Sequence, residues 1–246
     1  MKFKSNNYLS EFFVDKQKRD LVLILPGGGY QRTSPRESLP VAKMFNQWNY
    51  HSVVYHYRET MLVYPEIFDE GKSVIDYLTN HPLVNQLLLI GFSAGGHFAG
   101  YLLTKYSTCF KAGILCYPVI SADPIIRHDD SFKNLLNNNL SADLLEKVSI
   151  EKQVTQTVPP IFLWHTFEDG SVPIENSLVL ISSLRKHQVK VEAHLFNQGR
   201  HGLSLINQET SFDDMLVADY LLQNKTVSIW TTLLQNWLTN LEEKND

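Results

Sequence analysis

Three polar side chains that could act together on a carbonyl carbon lie at distant points of this 246-residue chain. Ser93 is the centre of a G-x-S-x-G pattern at residues 91–95, and Asp169 and His201 follow it in that order. A serine hydroxyl is a weak nucleophile near neutral pH, so it needs a histidine to take its proton and a carboxylate to orient that histidine. The residue types therefore predict acyl transfer, with Ser93 as nucleophile, His201 as base and acid, and Asp169 orienting the imidazole.

The residues around Ser93 indicate a tight turn from a strand into a helix. Residues 87–90 form an unbroken apolar run, typical of a strand buried on both faces. Residues 96–103 can form a helix packed closely on the sheet. A serine on such a turn projects its hydroxyl above the sheet edge, and the flanking glycines avoid collisions with the neighbouring strand and helix.

A second glycine-rich turn, residues 27–29, follows the apolar run at residues 21–25. Ester or amide hydrolysis passes through a tetrahedral oxyanion, which needs backbone N–H groups pointing at it. The amide of Ala94, directly after the candidate nucleophile, is one expected donor. The second is the amide of Gly28 or Gly29, because glycine lets the backbone approach a substrate, and the choice between them stays open.

Two members of the predicted triad have competitors in the chain. His165 is the serious alternative to His201, but its position at a strand end favours a structural role in holding the loop that carries Asp169. Glu168 is the alternative to Asp169. The acidic residues 213–214 follow the histidine in the chain, and we expect them in a helix.

Further side chains near the expected site could shape a substrate pocket or simply pack in the core. They are Tyr30, Tyr57, Arg58, Phe92, Trp164 and Leu203.

Strand and helix patterns alternate along the chain, which predicts an α/β fold with a mostly parallel central sheet and helices on both faces. Residues 34–37 read Ser-Pro-Arg-Glu and predict a helix start with a serine cap, a proline at the first position and a glutamate closing a capping box. The polar segment 121–158 interrupts the alternation, and its length is typical of a lid. We expect residues 1–246 to form a single domain with this small lid insertion.

Composition excludes several classes of partner. The net charge is −4, and no basic cluster exceeds residues 16–19, so the sequence argues against nucleic-acid binding. No apolar run approaches the roughly 18 residues that span a bilayer. The absence of an apolar leader and the presence of only two cysteines predict a cytoplasmic protein. We expect no metal and no cofactor, and the free edge of the last strand, residues 189–196, leaves a homodimer open.

Taken together, the motifs resemble those of the α/β-hydrolase superfamily, closest to bacterial esterases related to hormone-sensitive lipase and to acetyl xylan esterases. The resemblance covers nearly the whole chain and rests on the segments 26–30, 34–37, 57–58, 91–96, 164–173 and 201–202. It implies a serine carboxylesterase with Ser93, His201 and Asp169 in the roles given above. One departure is Pro26, where the family's glycine run often begins with a histidine. About twenty residues precede the first strong strand, so we do not expect the large N-terminal cap of the hormone-sensitive lipase branch, and the 121–158 insertion would do most of the covering.

The sequence thus predicts cleavage of small carboxylic esters through an acyl-enzyme, with short acyl groups preferred and acetyl above all. Sugars or xylo-oligosaccharides as the alcohol part follow from the resemblance alone. A peptidase or amidase on the same fold is one alternative, although no persuasive pair of glutamates is visible to anchor a peptide amino terminus. A binding protein built on an inactive hydrolase fold is the other, and such a protein would normally lack a triad member.

Overall fold

The computed structural model describes residues 3–243, and its strands form a seven-stranded sheet. The strands are β1 (Tyr8–Phe12), β2 (Arg19–Leu25), β3 (His51–His56), β4 (Val84–Phe92), β5 (Ala112–Cys116), β6 (Ile161–Thr166) and β7 (Val191–Phe196). Their order in the sheet is β1-β3-β2-β4-β5-β6-β7. Strand β1 pairs antiparallel with β3, and the other neighbours pair in parallel. The expected mostly parallel sheet is therefore confirmed.

Helices cover both faces of this sheet. The α-helices within residues 3–243 are α1 (Leu39–Gln47), α2 (Glu66–Thr79), α3 (Ala94–Lys105), α4 (Asp129–Leu135), α5 (Ala142–Val148), α6 (Glu175–Lys186), α7 (Val217–Gln223), α8 (Lys225–Ser228) and α9 (Trp230–Glu243). Along β2, Leu21 and Leu23 enter a core cluster shared with α2, α3 and α6, while Val22 enters a second cluster shared with α1 and α9. This alternation follows from the two-residue period of a strand, and it explains why the central strands are apolar throughout.

Three of the parallel strands end at the edge where the chemistry was expected. Strand β4 ends directly before Ser93, β6 ends three residues before Asp169, and β7 ends five residues before His201. Parallel strands place their carboxyl ends at one edge, so residues far apart in sequence meet there.

Strand β1 and helix α7 were not predicted from the sequence, and the helix expected at residues 213–214 is wrong. Strand β1 is short, at the sheet edge, and its residues are exposed or half-buried, so it carries no continuous apolar run. Helix α7 was also missed. Residues 213–214 lie in a turn before α7 and not in a helix. Asp214 there pairs with both terminal nitrogens of Arg200 at 2.9 Å, which holds the segment against the His201 loop.

The 121–158 segment contains α4, α5 and the short 3-10 helix Ile150–Lys152. Phe132, Leu135 and Val148 from this segment join the same core cluster as α2 and α3, so much of its apolar surface is packed on the sheet side of the molecule. Its role as a lid stays a prediction. Between residues 3 and 243 we find no helix with the length and apolar character needed to cross a membrane.

Candidate active site

Ser93 occupies a strained turn between β4 and α3. Its φ of 53° and ψ of −119° lie outside the conformations that a serine readily adopts. The Ser93 N–H donates to the carbonyl of Cys116 at 3.0 Å, and the Val119 N–H donates to the carbonyl of Ser93 at 3.1 Å. Bonds from the chain around the end of β5 therefore hold the turn on both sides.

Close backbone contacts explain the two glycines of the pattern. A Cβ on Gly95 would lie 2.2 Å from the carbonyl oxygen of Leu25, and a Cβ on Gly91 would lie 2.2 Å from the carbonyl oxygen of Gly95. The expectation that side chains here would collide with the neighbouring strand and helix is confirmed. The first turn of α3 thus sits directly against β2 and β4, which fixes the height of Ser93 above the sheet.

The three side chains singled out in the sequence form one hydrogen-bonded line. The Nε2 atom of His201 lies 2.8 Å from the Oγ atom of Ser93, and its Nδ1 atom lies 2.6 Å from the Oδ2 atom of Asp169. A carboxylate can only accept, so the Nδ1–H donates to Asp169 and Nε2 is left to accept the serine proton. Ser93 and Asp169 are buried, whereas 22% of the His201 side chain remains exposed. This arrangement can take a proton from Ser93 as its oxygen attacks a substrate.

The environment of Asp169 keeps its carboxyl ionised. Burial raises the pKa of Asp169, but hydrogen bonds from His165 and His201 outweigh burial and hold that pKa well below its usual range. Its Oδ1 atom also accepts the backbone N–H groups of Ser171 and Val172, both at 2.9 Å. The aspartate is therefore a fixed acceptor at neutral pH, as the orienting role requires.

The competing residues occupy other positions. The ring of His165 is buried, with Nε2 3.1 Å from Asp169 and Nδ1 2.7 Å from the hydroxyl of Ser177. It holds the loop that carries Asp169, which is the structural role expected for it. Glu168 is exposed, and its carboxylate accepts the Gly199 N–H at 3.3 Å.

The glycine turn after β2 has two unoccupied amides. The Gly27 N–H donates to the Oε2 atom of Glu37 at 2.7 Å, whereas within residues 3–243 the N–H groups of Gly28 and Gly29 have no hydrogen-bond partner in the protein. Ala94 is the first residue of α3, a position whose N–H the helix leaves unpaired. The geometry is thus compatible with oxyanion donors at Ala94 and at either glycine, and their roles remain proposals.

Side chains from three directions fix this turn, named here the oxyanion loop (residues 26–30). The hydroxyl of Tyr57 donates to the carbonyl of Pro26. The Nδ2 atom of Asn134, on helix α4 of the insertion, donates to the carbonyl of Gly29 at 2.8 Å. The hydroxyl of Tyr30 lies 2.8 Å from the Nδ1 atom of His97 on α3. Sequence reasoning missed Asn134 and His97 because their partners are distant in the chain.

The capping box expected at residues 34–37 is wrong. Ser34 makes no side-chain cap, and Pro35–Glu37 form a short 3-10 helix that is followed by α1. The carboxylate of Glu37 turns inward, where it accepts from Gly27 and from the hydroxyl of Tyr117. Because this carboxylate accepts hydrogen bonds from the oxyanion loop and from the residue after β5, it cannot also accept the N–H group at the start of the helix.

The residues expected to shape a pocket are all buried, none more than 6% exposed. Phe92, Trp164 and Leu203 belong to the core cluster shared with α1 and α9. Arg58 donates to the carbonyl of Leu62 and contacts the sulfur of Met61. The hydroxyl of Tyr30 contacts His97, and the hydroxyl of Tyr57 donates to the carbonyl of Pro26, as described above. These placements favour core and loop support, and direct contact with a substrate stays a prediction for each.

One cavity lies apart from the line of Ser93, His201 and Asp169. A cavity of about 590 Å³ is lined by residues near the amino terminus and α2, among them Phe3, Thr60 and Glu66, and by no member of the Ser93–His201–Asp169 line. Among the described residues, we find no group of three histidine, cysteine or acidic side chains placed to hold a metal ion.

The parallel sheet, the strained serine turn and the ordered Ser, Asp and His residues define a serine hydrolase of the α/β-hydrolase superfamily. A model of the prolyl oligopeptidase family matches residues 66–227, and the chain belongs to that family.

Known relatives include proteins named for hydrolysis of xylan or of its acetyl esters. The chain is 31% identical, over 82% of its length, to an endo-1,4-beta-xylanase B of Butyrivibrio fibrisolvens and 26% identical, over 78%, to an acetylxylan esterase of Xylanibacter ruminicola. It spans only 35% and 42% of those two relatives. A solved structure, the acetyl ester-xyloside bifunctional hydrolase of Caldicellulosiruptor lactoaceticus, is 30% identical with a TM-score of 0.83, covering 96% of this chain and 88% of that one.

Proposed function

We propose that this serine hydrolase is a carboxylesterase that cleaves small esters with short acyl groups, acetyl above all, through an acyl-enzyme on Ser93. The observation that carries the proposal is the continuous line from Ser93 Oγ through His201 to Asp169, with separations of 2.8 and 2.6 Å. A nucleophile, a base and a fixed orienting carboxylate are the groups that acyl transfer requires.

In the first half of the proposed reaction, Ser93 Oγ attacks the ester carbonyl carbon while His201 Nε2 takes the serine proton. The carbonyl oxygen becomes an oxyanion, and the amides of Ala94 and of Gly28 or Gly29 donate hydrogen bonds to it. When the intermediate collapses, the bond to the alcohol oxygen breaks, and His201 returns its proton to that oxygen. The acyl group is left as an ester of Ser93.

The second half reverses these roles with water as nucleophile. His201 takes a proton from water as the water oxygen attacks the acyl carbon, and then protonates Ser93 Oγ as the carboxylic acid leaves. Asp169 stays ionised throughout, because its hydrogen bonds from His165 and His201 stabilise the charged form. The 22% exposure of the His201 side chain lets water reach the base.

Acetyl esters of sugars are the proposed natural substrates. The solved relative described above is named for acetyl ester and xyloside hydrolysis, and a curated relative is named an acetylxylan esterase. These names support an acetylated xylo-oligosaccharide as the substrate class. The curated relatives are much longer than this chain, so their remaining parts say nothing of its own reaction.

A series of p-nitrophenyl esters from acetate to octanoate tests the reaction and the acyl preference together. We expect a maximum of kcat/KM at C2–C4, and a loss on the order of 10⁴-fold or more in Ser93→Ala. Acetate release from acetylated xylo-oligosaccharides, measured in parallel, tests the sugar part. A maximum at C8 contradicts the short-acyl proposal.

A peptidase or amidase is the second candidate, because the matching family model is named for an oligopeptidase. The two reactions share the Ser93 chemistry and differ in the leaving group. The test compares three kinds of substrate. p-Nitrophenyl acetate and p-nitroacetanilide carry the same acetyl group on an ester and on an amide, and aminoacyl p-nitroanilides are peptidase substrates. We expect turnover of the ester and negligible turnover of aminoacyl anilides, and preferred cleavage of the latter would favour the peptidase.

A further inference from the structure

Glu37 is a buried carboxylate placed between the loops that flank Ser93. Only 3% of the residue is exposed. Its Oε2 atom accepts the Gly27 N–H and its Oε1 atom accepts the hydroxyl of Tyr117, both at 2.7 Å. Both donors, a backbone N–H and a tyrosine hydroxyl, are uncharged groups. Burying a carboxylate is costly unless its oxygens are satisfied, so this position is held by specific contacts and not by apolar packing.

On one side, Glu37 determines the position of the oxyanion loop. A Cβ on Gly27 would lie 2.9 Å from Glu37 Oε2 and 3.0 Å from the Cβ of Ser93, so Gly27 lies between the carboxylate and the nucleophile with no room for a side chain. Because the Gly27 N–H is bound to Glu37, the next two amides, of Gly28 and Gly29, are the ones left for an oxyanion.

On the other side, Glu37 acts through Tyr117 on the loop that carries His201. The Ser204 N–H donates to the hydroxyl oxygen of Tyr117 at 3.0 Å, so the hydroxyl proton goes to Glu37. Burial raises the pKa of Tyr117 well above its usual range, which keeps this proton in place. The ring of Tyr117 meets the ring of His201 nearly perpendicular, with centroids 5.1 Å apart.

We propose that Glu37 is a positioning residue for the reaction, and that its carboxylate, together with Tyr117, sets the distance between the oxyanion amides and the imidazole of His201. Glu37 touches no reacting atom. The inference rests on the proposed function, because the donors and the base that it aligns are those of the proposed esterase reaction.

The two-acceptor requirement makes Glu37→Gln the informative variant. Glutamine has the same shape, but only one of its two terminal atoms can accept, so it cannot accept from both the Gly27 N–H and the Tyr117 O–H, and one of these donors loses its acceptor. Loss of either contact misplaces groups that act in the transition state and leaves the ground-state contacts of a small ester intact. We expect kcat to fall about 10- to 100-fold with KM changed less than about threefold.

The matched control is Glu70→Gln on α2. Glu70 accepts hydrogen bonds from Asn7, Ser5 and Tyr55, so its substitution disrupts a comparable polar cluster away from Ser93. The measurement is kcat and KM on p-nitrophenyl acetate, normalised to the concentration of sites that react with a fluorophosphonate, with the Tm of each variant. We expect both variants to lose stability and only Glu37→Gln to lose kcat per site.

Tyr117→Phe provides a second route to the same answer. It removes the hydroxyl that joins Glu37 to Ser204, so we expect a loss of kcat similar to that of Glu37→Gln, and little additional loss in the double variant because one linkage is broken in both cases. If Glu37→Gln does not fold, the kcat per site of Tyr117→Phe is compared with that of Glu70→Gln, and a lower value for Tyr117→Phe supports the positioning role.

The outcomes separate this inference from the proposed function. If the wild type hydrolyses the ester but Glu37→Gln and Tyr117→Phe keep the kcat per site of Glu70→Gln, or lose efficiency only through KM, the positioning role is overturned while the esterase proposal stands. If the wild type neither hydrolyses esters nor reacts with the fluorophosphonate, the proposed function fails and the positioning role fails with it.

Discussion

Asp169 stands in an environment quite unlike that of a surface carboxylate. It receives hydrogen bonds from two imidazoles and two backbone N–H groups, and these contacts overcome the burial that would otherwise neutralise it. One of its oxygens binds its own loop, and the other binds the rings of His165 and His201. In the proposed reaction the residue therefore has two roles, one in holding its loop and one in fixing the tautomer of His201.

Asp169→Asn should separate these roles. The asparagine retains an acceptor for the loop, but its amide group favours the wrong tautomer of His201, so we expect kcat on p-nitrophenyl acetate to fall on the order of 10⁴-fold. The control is Asp143→Asn, which removes an exposed ion pair with Lys147 on α5. Steady-state kinetics at pH 7–8 make the comparison, and a loss below about tenfold in Asp169→Asn would speak against its orienting role.

At this scale the sequence predicts which three side chains meet, and it predicts their supporting contacts poorly. Ser93, Asp169 and His201 could be recognised because each follows a strand and because their chemistry demands those residue types. Glu37 could not, because its partners Gly27 and Tyr117 come from other elements, and its spacing after Ser34 imitates a capping box. Contacts of this kind depend on which loops meet, and that is decided by tertiary packing.

At the scale of elements, the oxyanion loop is joined to helix α4 of the 121–158 insertion. Asn134 provides this link by donating to the carbonyl of Gly29, a bond between residues 105 positions apart. The positive φ angles of Gly28, Gly29 and Tyr30 (134°, 64° and 57°) show that the loop adopts an unusual backbone path. Such a path needs outside contacts to persist, and α4 supplies one of them.

Asn134→Ala should therefore lower turnover without touching the triad. We expect a loss of about 3- to 30-fold in kcat, because one of several contacts that hold the amides toward the oxyanion is removed. Asn139→Ala, an exposed asparagine in the same insertion, is the matched control and should behave as wild type. Equal kcat values for the two variants on p-nitrophenyl acetate would show that α4 does not support the loop.

The elements that the sequence did not reveal share one property. Strand β1 and helix α7 contribute few fully buried residues, so neither leaves the apolar periodicity on which such prediction depends. The central strands β2 and β4 were predicted because their unbroken apolar runs reflect burial on both faces of the sheet. The turn before α7 carries Asp214, which pairs with Arg200, a contact that local sequence does not encode.

At the scale of the whole molecule, His97 connects the sheet's helix layer, the oxyanion loop and the insertion. Its ring is fully buried, with Nδ1 facing the Tyr30 hydroxyl and Nε2 2.7 Å from the carbonyl of Val148. A carbonyl can only accept, so Nε2 carries the proton and Nδ1 accepts from Tyr30. Burial lowers the pKa of His97 to about 4, although the bond to Val148 opposes that shift.

This buried neutral histidine predicts a pH-dependent stability. In the unfolded chain a histidine titrates near pH 6.5, so the unfolded state gains a proton as pH falls from 6.5 toward 4 while the folded state does not. The free energy of unfolding should therefore fall with pH in that window. Between pH 7.5 and 5.0, His97 alone accounts for a loss of about 2 kcal/mol.

Urea unfolding of the wild type and His97→Gln at both pH values tests this expectation. Glutamine can donate to Val148 and accept from Tyr30 but does not titrate, so the variant should lose about 2 kcal/mol less than the wild type on acidification. His187→Gln, at the end of α6, is the control for replacing a histidine outside this cluster. Parallel losses in all three proteins would mean that acid destabilisation arises elsewhere.

The proposed reaction requires above all that Ser93 is a nucleophile activated by His201. The most direct measurement is the rate and site of covalent labelling by a fluorophosphonate, followed by intact-mass and peptide mass spectrometry. We expect one adduct, on Ser93, which is absent in Ser93→Ala and forms at least about 100-fold more slowly in His201→Ala. An unlabelled wild type, or an adduct that persists in Ser93→Ala, would show that Ser93 is not the activated nucleophile.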